Sequence, residues 1–170
     1  VAINHPERLE KLAILNVPHP DVMVDFVLNN PAQRRKSWYV FFFQIPLYVE
    51  WILSKNNFEY LARMLTRSHR PDDLAGGRKN TFTEADVVEY KKAWSQKGAL
   101  TGMLNWYRAA MRRGLSYAFS RKRSPARRVH VPTLMLWGKR DVALSSEMAQ
   151  PSIDLCDQGE LTFFEKSTHW

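Results

Sequence analysis

The sequence predicts an α/β fold: a small parallel sheet interrupted by a long helical insertion. Three observations predict it. Leu12–Leu15 is a continuous apolar run of strand length, Val131–Trp137 is a second strand-like run, and Leu161–Phe164 is a third. Runs of this kind suit strands that a parallel sheet covers on both faces. Between the first and second runs, apolar residues recur at helical rather than alternating intervals.

Taken in order, Pro6 closes a turn or helix end ahead of the first strand. Val17-Pro18-His19-Pro20 stops that strand, because prolines lack the N–H that sheet pairing needs. Asp21 is placed to cap a helix carrying Val22, Phe26 and Val27. Lys36–Gln44 is dense in aromatics and is stopped by Pro46. Thr81-Phe82-Thr83-Glu84 has capping-box spacing, and Val87, Tyr90 and Trp94 follow at helical intervals. Gly98 separates this helix from another with Leu100, Met103, Leu104, Tyr107 and Met111 on one face. Residues 71–80 read as a polar loop and 121–128 as an exposed connector. The second strand, with Pro132 near its start, runs into Gly138-Lys139-Arg140-Asp141. A modest helix from Ser145 to Leu155 then leads to the third strand and the loop Lys166–Trp170. The expected organisation is a core piece at 1–20, a helical domain at 21–128 and a second core piece at 129–170. Three strands do not make a well-covered parallel sheet by themselves. The layout therefore predicts part of a larger core, inactive and poorly folded as a separate polypeptide.

Composition narrows the function classes. The 170 residues are 45% hydrophobic and 25% charged, which excludes collagen, coiled coil and wholesale disorder. Cys156 is the lone cysteine, so there is no internal disulfide and no cysteine-rich zinc site. No pair of histidines has metal-ligand spacing; His5, His69 and His130 read as structural or surface residues, and neither a metal nor a cofactor is expected. The longest nearly uncharged run, Trp38–Trp51, falls short of the ~20 residues a membrane helix needs. The lone thiol and the absence of a signal-type segment at Val1–Pro6 fit a cytoplasmic setting. The net charge of +8 raises nucleic acid as a partner. Yet the basic clusters Arg34-Arg35-Lys36, Arg112-Arg113, Arg121-Lys122-Arg123 and Arg127-Arg128 accompany no helix-turn-helix, zinc knuckle or aromatic-basic strand. They read as solvated helix ends and loops, and no nucleic acid is expected.

Two polar residues lie beyond the carboxyl ends of predicted strands, Asp141 after the second and His169 after the third. Catalytic groups collect at that edge of open α/β sheets. A carboxylate accepting the imidazole N–H fixes the tautomer and stabilises the imidazolium, leaving the other nitrogen to act as a base. On spacing alone Asp141 reads equally as a turn residue and His169 as a loop tip. Likewise Tyr107 reads as a core aromatic, and Tyr39, beside Trp38 and Phe41–Phe43, as packing.

Longer segments carry a resemblance. His5–Pro20, with Asn16-Val17-Pro18-His19-Pro20 at its end, is similar to the strand after the nucleophile helix in α/β-hydrolases of the epoxide hydrolase group. Pro132–Asp141 resembles the strand carrying their acid, and Ser167-Thr168-His169-Trp170 their histidine loop. Ser37–Pro46 and Leu104-Asn105-Trp106-Tyr107-Arg108 resemble two segments of their helical cap. The resemblance spans essentially the whole chain and implies a partial α/β-hydrolase fold with a helical cap. It implies epoxide opening through an aspartyl ester, with an epoxide and water as the small-molecule partners. Tyr39 and Tyr107 match the tyrosines that protonate the ring oxygen, and Asp141 and His169 the pair that activates water. Trp38, Phe42, Trp106 and His19 are expected to line the pocket. The family's nucleophile turn, of the type His-Asp-Trp-Gly-Gly, does not occur in this sequence, and neither does Gly-x-Ser-x-Gly. The nucleophile is thus expected outside this chain. A haloalkane or haloacid dehalogenase uses the same ester chemistry, but a fluoroacetate-type enzyme would carry His-Trp where Tyr39-Val40 stands. A non-catalytic hydrolase-like binding protein is the remaining alternative.

Overall fold

The fold is that of a computed structural model, which describes residues 1–67, 82–119 and 126–169. His69, the loop 71–80, Thr81, residues 121–125 of the connector and Trp170 lie outside the described residues. The chain divides into two compact units: Val1–Ser37 with Ser120–Trp170, and Trp38–Phe119.

The first unit holds the sheet. Strands β1 (Leu12–Leu15), β2 (Thr133–Gly138) and β3 (Gly159–Phe164) are parallel, in the order β1-β2-β3. Leu12 pairs with Thr133, and Thr133 with Gly159. Pro132 precedes β2 and still contributes its carbonyl, which accepts from the Leu12 N–H. Central β2 buries Thr133, Met135 and Trp137, and the last of these has no exposed surface. The expectation that β1 is covered on both faces does not hold within this chain. Leu12 and Ile14 pack on the core, but Leu15 is 66% exposed, because β1 is an edge strand with one face covered.

The return from β2 to β3 begins with a tight turn at Ser146–Met148 and continues as α7 (Ala149–Ile153; α1 to α6 are placed below). This is shorter than the helix expected from Ser145 to Leu155. Pro151 fits because first-turn residues need no intrahelical N–H bond. Met148, Ala149 and Ile153 pack with Val129, Val131, Met135 and Trp137. A Cβ on Gly159 would lie 2.7 Å from Ile153 Cγ1, so glycine here lets α7 lie close against β3.

Helix α1 (Pro20–Asn29) is capped by His19 rather than Asp21. The His19 Nδ1 accepts the Asp21 N–H at 3.2 Å, and Pro20 occupies the first helical position, where a missing N–H costs nothing. Asn30 ends α1 and caps α2 (Pro31–Lys36) by accepting the Gln33 N–H. By sequence these helices open the helical domain; by their contacts they belong to the sheet unit. The reason is Gln33, fully buried, which donates to the Ala143 carbonyl and accepts the Ser145 N–H.

The second unit contains α3 (Trp38–Phe42), α4 (Tyr48–Arg67), α5 (Glu84–Trp94) and α6 (Ala99–Phe119). Within α4, Lys55 is extended and Asn56, Asn57 and Phe58 are left-handed, so two helical pieces meet at a kink. Asparagine tolerates this region; phenylalanine does not favour it, and Phe58 is held there with its ring against Trp94. The cap of α5 is Thr83 with Asp86, two residues beyond the expected Thr81–Glu84 box. Thr83 Oγ1 accepts the Asp86 N–H and the Asp86 carboxylate accepts the Thr83 N–H. Gly98, at φ +80°, turns the chain from α5 to α6. The core is Phe43, Val49, Leu53, Leu100 and Leu104, with Tyr39, Phe42 and Tyr107 packed against it. Met103, expected on the inward face of α6, is 44% exposed; Leu100 and Leu104 are the buried members of that stripe, with Tyr107 packed against them. Among the described residues, no helix is long and apolar enough to cross a membrane.

Candidate active site

In the sheet unit, the carboxyl ends of all three strands converge on one loop. The Asp141 side chain is fully buried. Its Oδ1 accepts the N–H groups of Ala143 and Leu144, each at 2.8 Å, which locks the carboxylate in an Asx-type turn. Its Oδ2 lies 2.7 Å from Nδ1 of His169. A carboxylate can only accept, so the imidazole proton sits on Nδ1 and Nε2 is the basic nitrogen. The His169 side chain is one quarter exposed, whereas the Asp141 side chain has no exposed surface.

Backbone contacts hold the histidine loop against the turn after β2. Lys139 N–H donates to the Phe164 carbonyl and Arg140 N–H to the Ser167 carbonyl, each at 3.0 Å. A Cβ on Gly138 would lie 2.4 Å from the Thr168 carbonyl oxygen and 2.6 Å from that of Ser167. Only glycine allows this approach. From β1, Asn16 reaches across: its Oδ1 accepts the Gly138 N–H at 2.7 Å, and its Nδ2 donates to the carbonyls of Thr168 (3.0 Å) and His169 (3.1 Å). Asn16 and Gln33 are the site-building residues that sequence reasoning missed. An asparagine between a strand and Val-Pro was the available signal for Asn16, because that junction needs a left-handed residue. Gln33 sits in an ordinary polar helix and carries none.

His19, expected at the pocket, is almost completely buried in the sheet unit. Its N–H donates to Ser152 Oγ at 2.9 Å, and Nδ1 lies 4.0 Å from Asp21 Oδ2. Burial pushes the imidazole below its ordinary value of 6.5, against the opposing pull of Asp21. Burial also opposes ionisation of Asp21, but hydrogen bonds from the Arg127 N–H and guanidinium outweigh it and hold the carboxyl below its ordinary 3.8. Both folded-state values lie below the unfolded ones. The stabilisation is therefore complete above the unfolded values and is lost as pH falls, through His19 below 6.5 and through Asp21 below 3.8. In the full-length protein, Tm is expected to drop between pH 7 and pH 5, and His19→Gln to flatten that slope. An identical slope in the variant would remove His19 from this account.

In the helical unit, Tyr39 and Tyr107 meet edge to face, ring centroids 5.8 Å apart. Phe43 packs on both, at 5.6 and 5.1 Å. Burial pushes the Tyr107 phenol above its ordinary 10.0, so it is a proton donor throughout the neutral range. Trp106, 69% exposed, meets Tyr107 edge to face with ring centroids 5.0 Å apart; Trp38, 54% exposed, lies 6.0 Å from half-buried Phe42. Two concavities in this unit, of about 230 and 360 Å³, are lined by none of Tyr39, Tyr107, Trp38 and Trp106.

Arg108 fixes the two tyrosine-bearing segments relative to one another. Its guanidinium forks onto Glu50, with Nη1 to Oε1 at 2.7 Å and Nη2 to Oε2 at 3.1 Å. Its Nε donates to the Phe43 carbonyl at 2.9 Å. Both side chains are more than four-fifths covered, and the hydrogen bonds from Arg108 hold the Glu50 carboxyl below the usual range. Arg108→Ala would leave a partly buried carboxylate without its partner and is expected to cost about 2 kcal/mol. Arg108→Lys keeps the charge but loses the fork, and is expected to recover only part of that loss. Urea unfolding of the two variants measures it; equal stability to wild type would show the fork to be incidental.

Among the described residues, no group of three His, Cys, Asp or Glu side chains is placed to hold a metal ion.

No family model matches the sequence. Relatives do. The chain is 39% identical over 170 residues to the AB hydrolase superfamily protein YfhM of Bacillus subtilis, matching all of this chain and 54% of that protein. It is 37% identical over 172 residues to human epoxide hydrolase 4, matching all of this chain and 44% of that protein. A crystal structure of Bacillus megaterium epoxide hydrolase in complex with an inhibitor superposes over 99% of this chain and 57% of that one, with TM-score 0.77 at 22% identity. The chain has part of the α/β-hydrolase fold. It is epoxide hydrolase-like, and it spans about half the length of the curated relatives it matches. As an α/β-hydrolase chain it holds a partial parallel sheet with helices, in which an acid follows β2 and a histidine follows β3.

Proposed function

We propose that the protein carrying this chain hydrolyses epoxides to diols through an ester on a carboxylate nucleophile outside these residues. The observation that carries the reading is the edge-to-face pair of Tyr39 and Tyr107, one of them buried enough to stay protonated. In the first step the nucleophile's oxygen bonds to a ring carbon and the C–O bond of the epoxide breaks. The freed oxygen takes a tyrosine proton, leaving a hydroxyalkyl ester and a tyrosinate. In the second, His169 takes a proton from water at Nε2 while Asp141 steadies the imidazolium. The hydroxide adds to the ester carbonyl and the acyl C–O bond breaks. The leaving alkoxide takes the imidazolium proton, and the new carboxyl proton returns to the tyrosinate. The sum is epoxide plus water to diol. Trp38, Phe42 and Trp106 supply apolar contact to the substrate.

The whole-chain similarity to proteins named epoxide hydrolase supports this reading. Tyr39-Val40, in place of His-Trp, weighs against a fluoroacetate-type dehalogenase. The test is single turnover of the full-length protein with an aryl glycidyl ether in H₂¹⁸O. Label is expected in the enzyme's carboxylate and not in the first diol released. Solvent oxygen in that first diol would replace the ester route by direct attack of water. Halide release from chloroalkanes or haloacids without epoxide conversion would select the dehalogenase reading, and no conversion of either the binding-protein reading.

A further inference from the structure

We propose that Asn16 is a positioning residue for His169, acting through the main chain of the histidine loop. The inference rests on the reading of His169 as the base that hydrolyses the ester.

Asn16 sits one residue beyond β1 at φ +48°, with 9% of its surface exposed. Its own N–H continues the strand pairing by donating to the Leu136 carbonyl at 3.0 Å. From that anchored position the side-chain amide makes three hydrogen bonds. It accepts from Gly138, at the end of β2, and donates to the carbonyls of Thr168 and His169, beyond β3. One amide therefore links the ends of all three strands. Asp141 bonds the His169 ring at Nδ1, and Asn16 bonds the main-chain carbonyl of the same residue. Fixing the main chain sets the point from which the imidazole projects toward Asp141.

The residue type matters. Two carbonyl oxygens facing one side chain need a donor with two N–H groups, and the Gly138 N–H needs an acceptor on that same side chain. Only a primary amide provides both. Among the amides, asparagine is the one that tolerates the left-handed backbone. Aspartate has the same shape and tolerates the same φ, but it would set an acceptor against the two carbonyls. Glycine keeps the φ and removes the side chain. The two substitutions separate the conformational requirement from the hydrogen bonds.

The test uses Asn16→Gly and Asn16→Asp in the full-length protein, with ester formation and ester hydrolysis followed separately in single turnover. Ester formation does not use His169 and is expected to stay within about twofold of wild type. Hydrolysis is expected to fall by about 10²-fold, the cost of a catalytic group misplaced by ~1 Å. In parallel, the downfield Nδ1–H proton resonance of His169, assigned by its loss in His169→Gln, is expected to shift or broaden in both variants. Wild-type hydrolysis and an unchanged resonance in either folded variant would overturn the proposal. So would an equal fall in both steps, because that is what a purely structural role predicts. If wild type forms no ester, the epoxide reading fails, and the resonance alone decides whether Asn16 orients His169.

Discussion

His169→Gln in the full-length protein is expected to form the ester at the wild-type rate and then stop, giving a burst of one equivalent without steady turnover. Glutamine keeps a side-chain amide that can donate to Asp141, so the buried carboxylate, already bonded to Ala143 and Leu144, is not left stranded. What it lacks is a basic nitrogen for water. General-base catalysis is worth about two to four orders of magnitude, and that is the expected loss in ester hydrolysis. Mass spectrometry of the intact variant after mixing with an epoxide should show the adduct. Undiminished turnover would take His169 out of the mechanism. Asp141→Asn is a companion, because an amide oxygen facing Nδ1 weakens the preference for the productive tautomer. Its defect should lie in hydrolysis as well.

Tyr107→Phe is expected to show the complementary defect: slow ester formation and little accumulated adduct. The hydroxyl is lost, but the ring remains edge-on to Tyr39 and against Phe43, so the packing of the helical unit changes little. Loss of one donor to a developing oxyanion costs about 10²–10³-fold, or roughly 3–4 kcal/mol in the barrier. Tyr39→Phe should act in the same direction, and the double variant should fall below either single one. Because burial holds the Tyr107 phenol protonated, the wild-type rate of ring opening should not decline as pH rises from 7 to 9. The contrast with His169→Gln is the stronger test, because the two variants must fail at different steps. If both failed at the same step, the division of labour between the tyrosines and the Asp141–His169 pair would be wrong.

The amino-acid sequence by itself determined the three strands, their parallel character and the helical texture between them. Each rests on local information: continuous apolar runs, prolines at strand ends and helical spacing of large side chains. Asp141 and His169 stood out for the same reason, since a position just beyond a strand can be read along the chain. Cap positions were less legible. Asp21 and Thr81 each carry a capping side chain, but His19 and Thr83 do the capping. The choice among neighbouring candidates depends on where the helix is pulled by its packing, which no local pattern states.

Tertiary structure alone decided which residues hold the acid and histidine loops. Asn16, Gln33 and Gly138 act from isolated positions, through the hydrogen bonds of one side chain or one close approach, leaving no periodic trace. It also decided how much of each strand is covered. Leu15 looks interior from its neighbours in the chain, yet it is exposed, because coverage belongs to the surface packed on a strand and not to the strand itself. Hydrophobic pattern is encoded residue by residue. Burial and long-range hydrogen bonding are properties of pairs, and those pairs exist only once β1, β2 and β3 lie side by side.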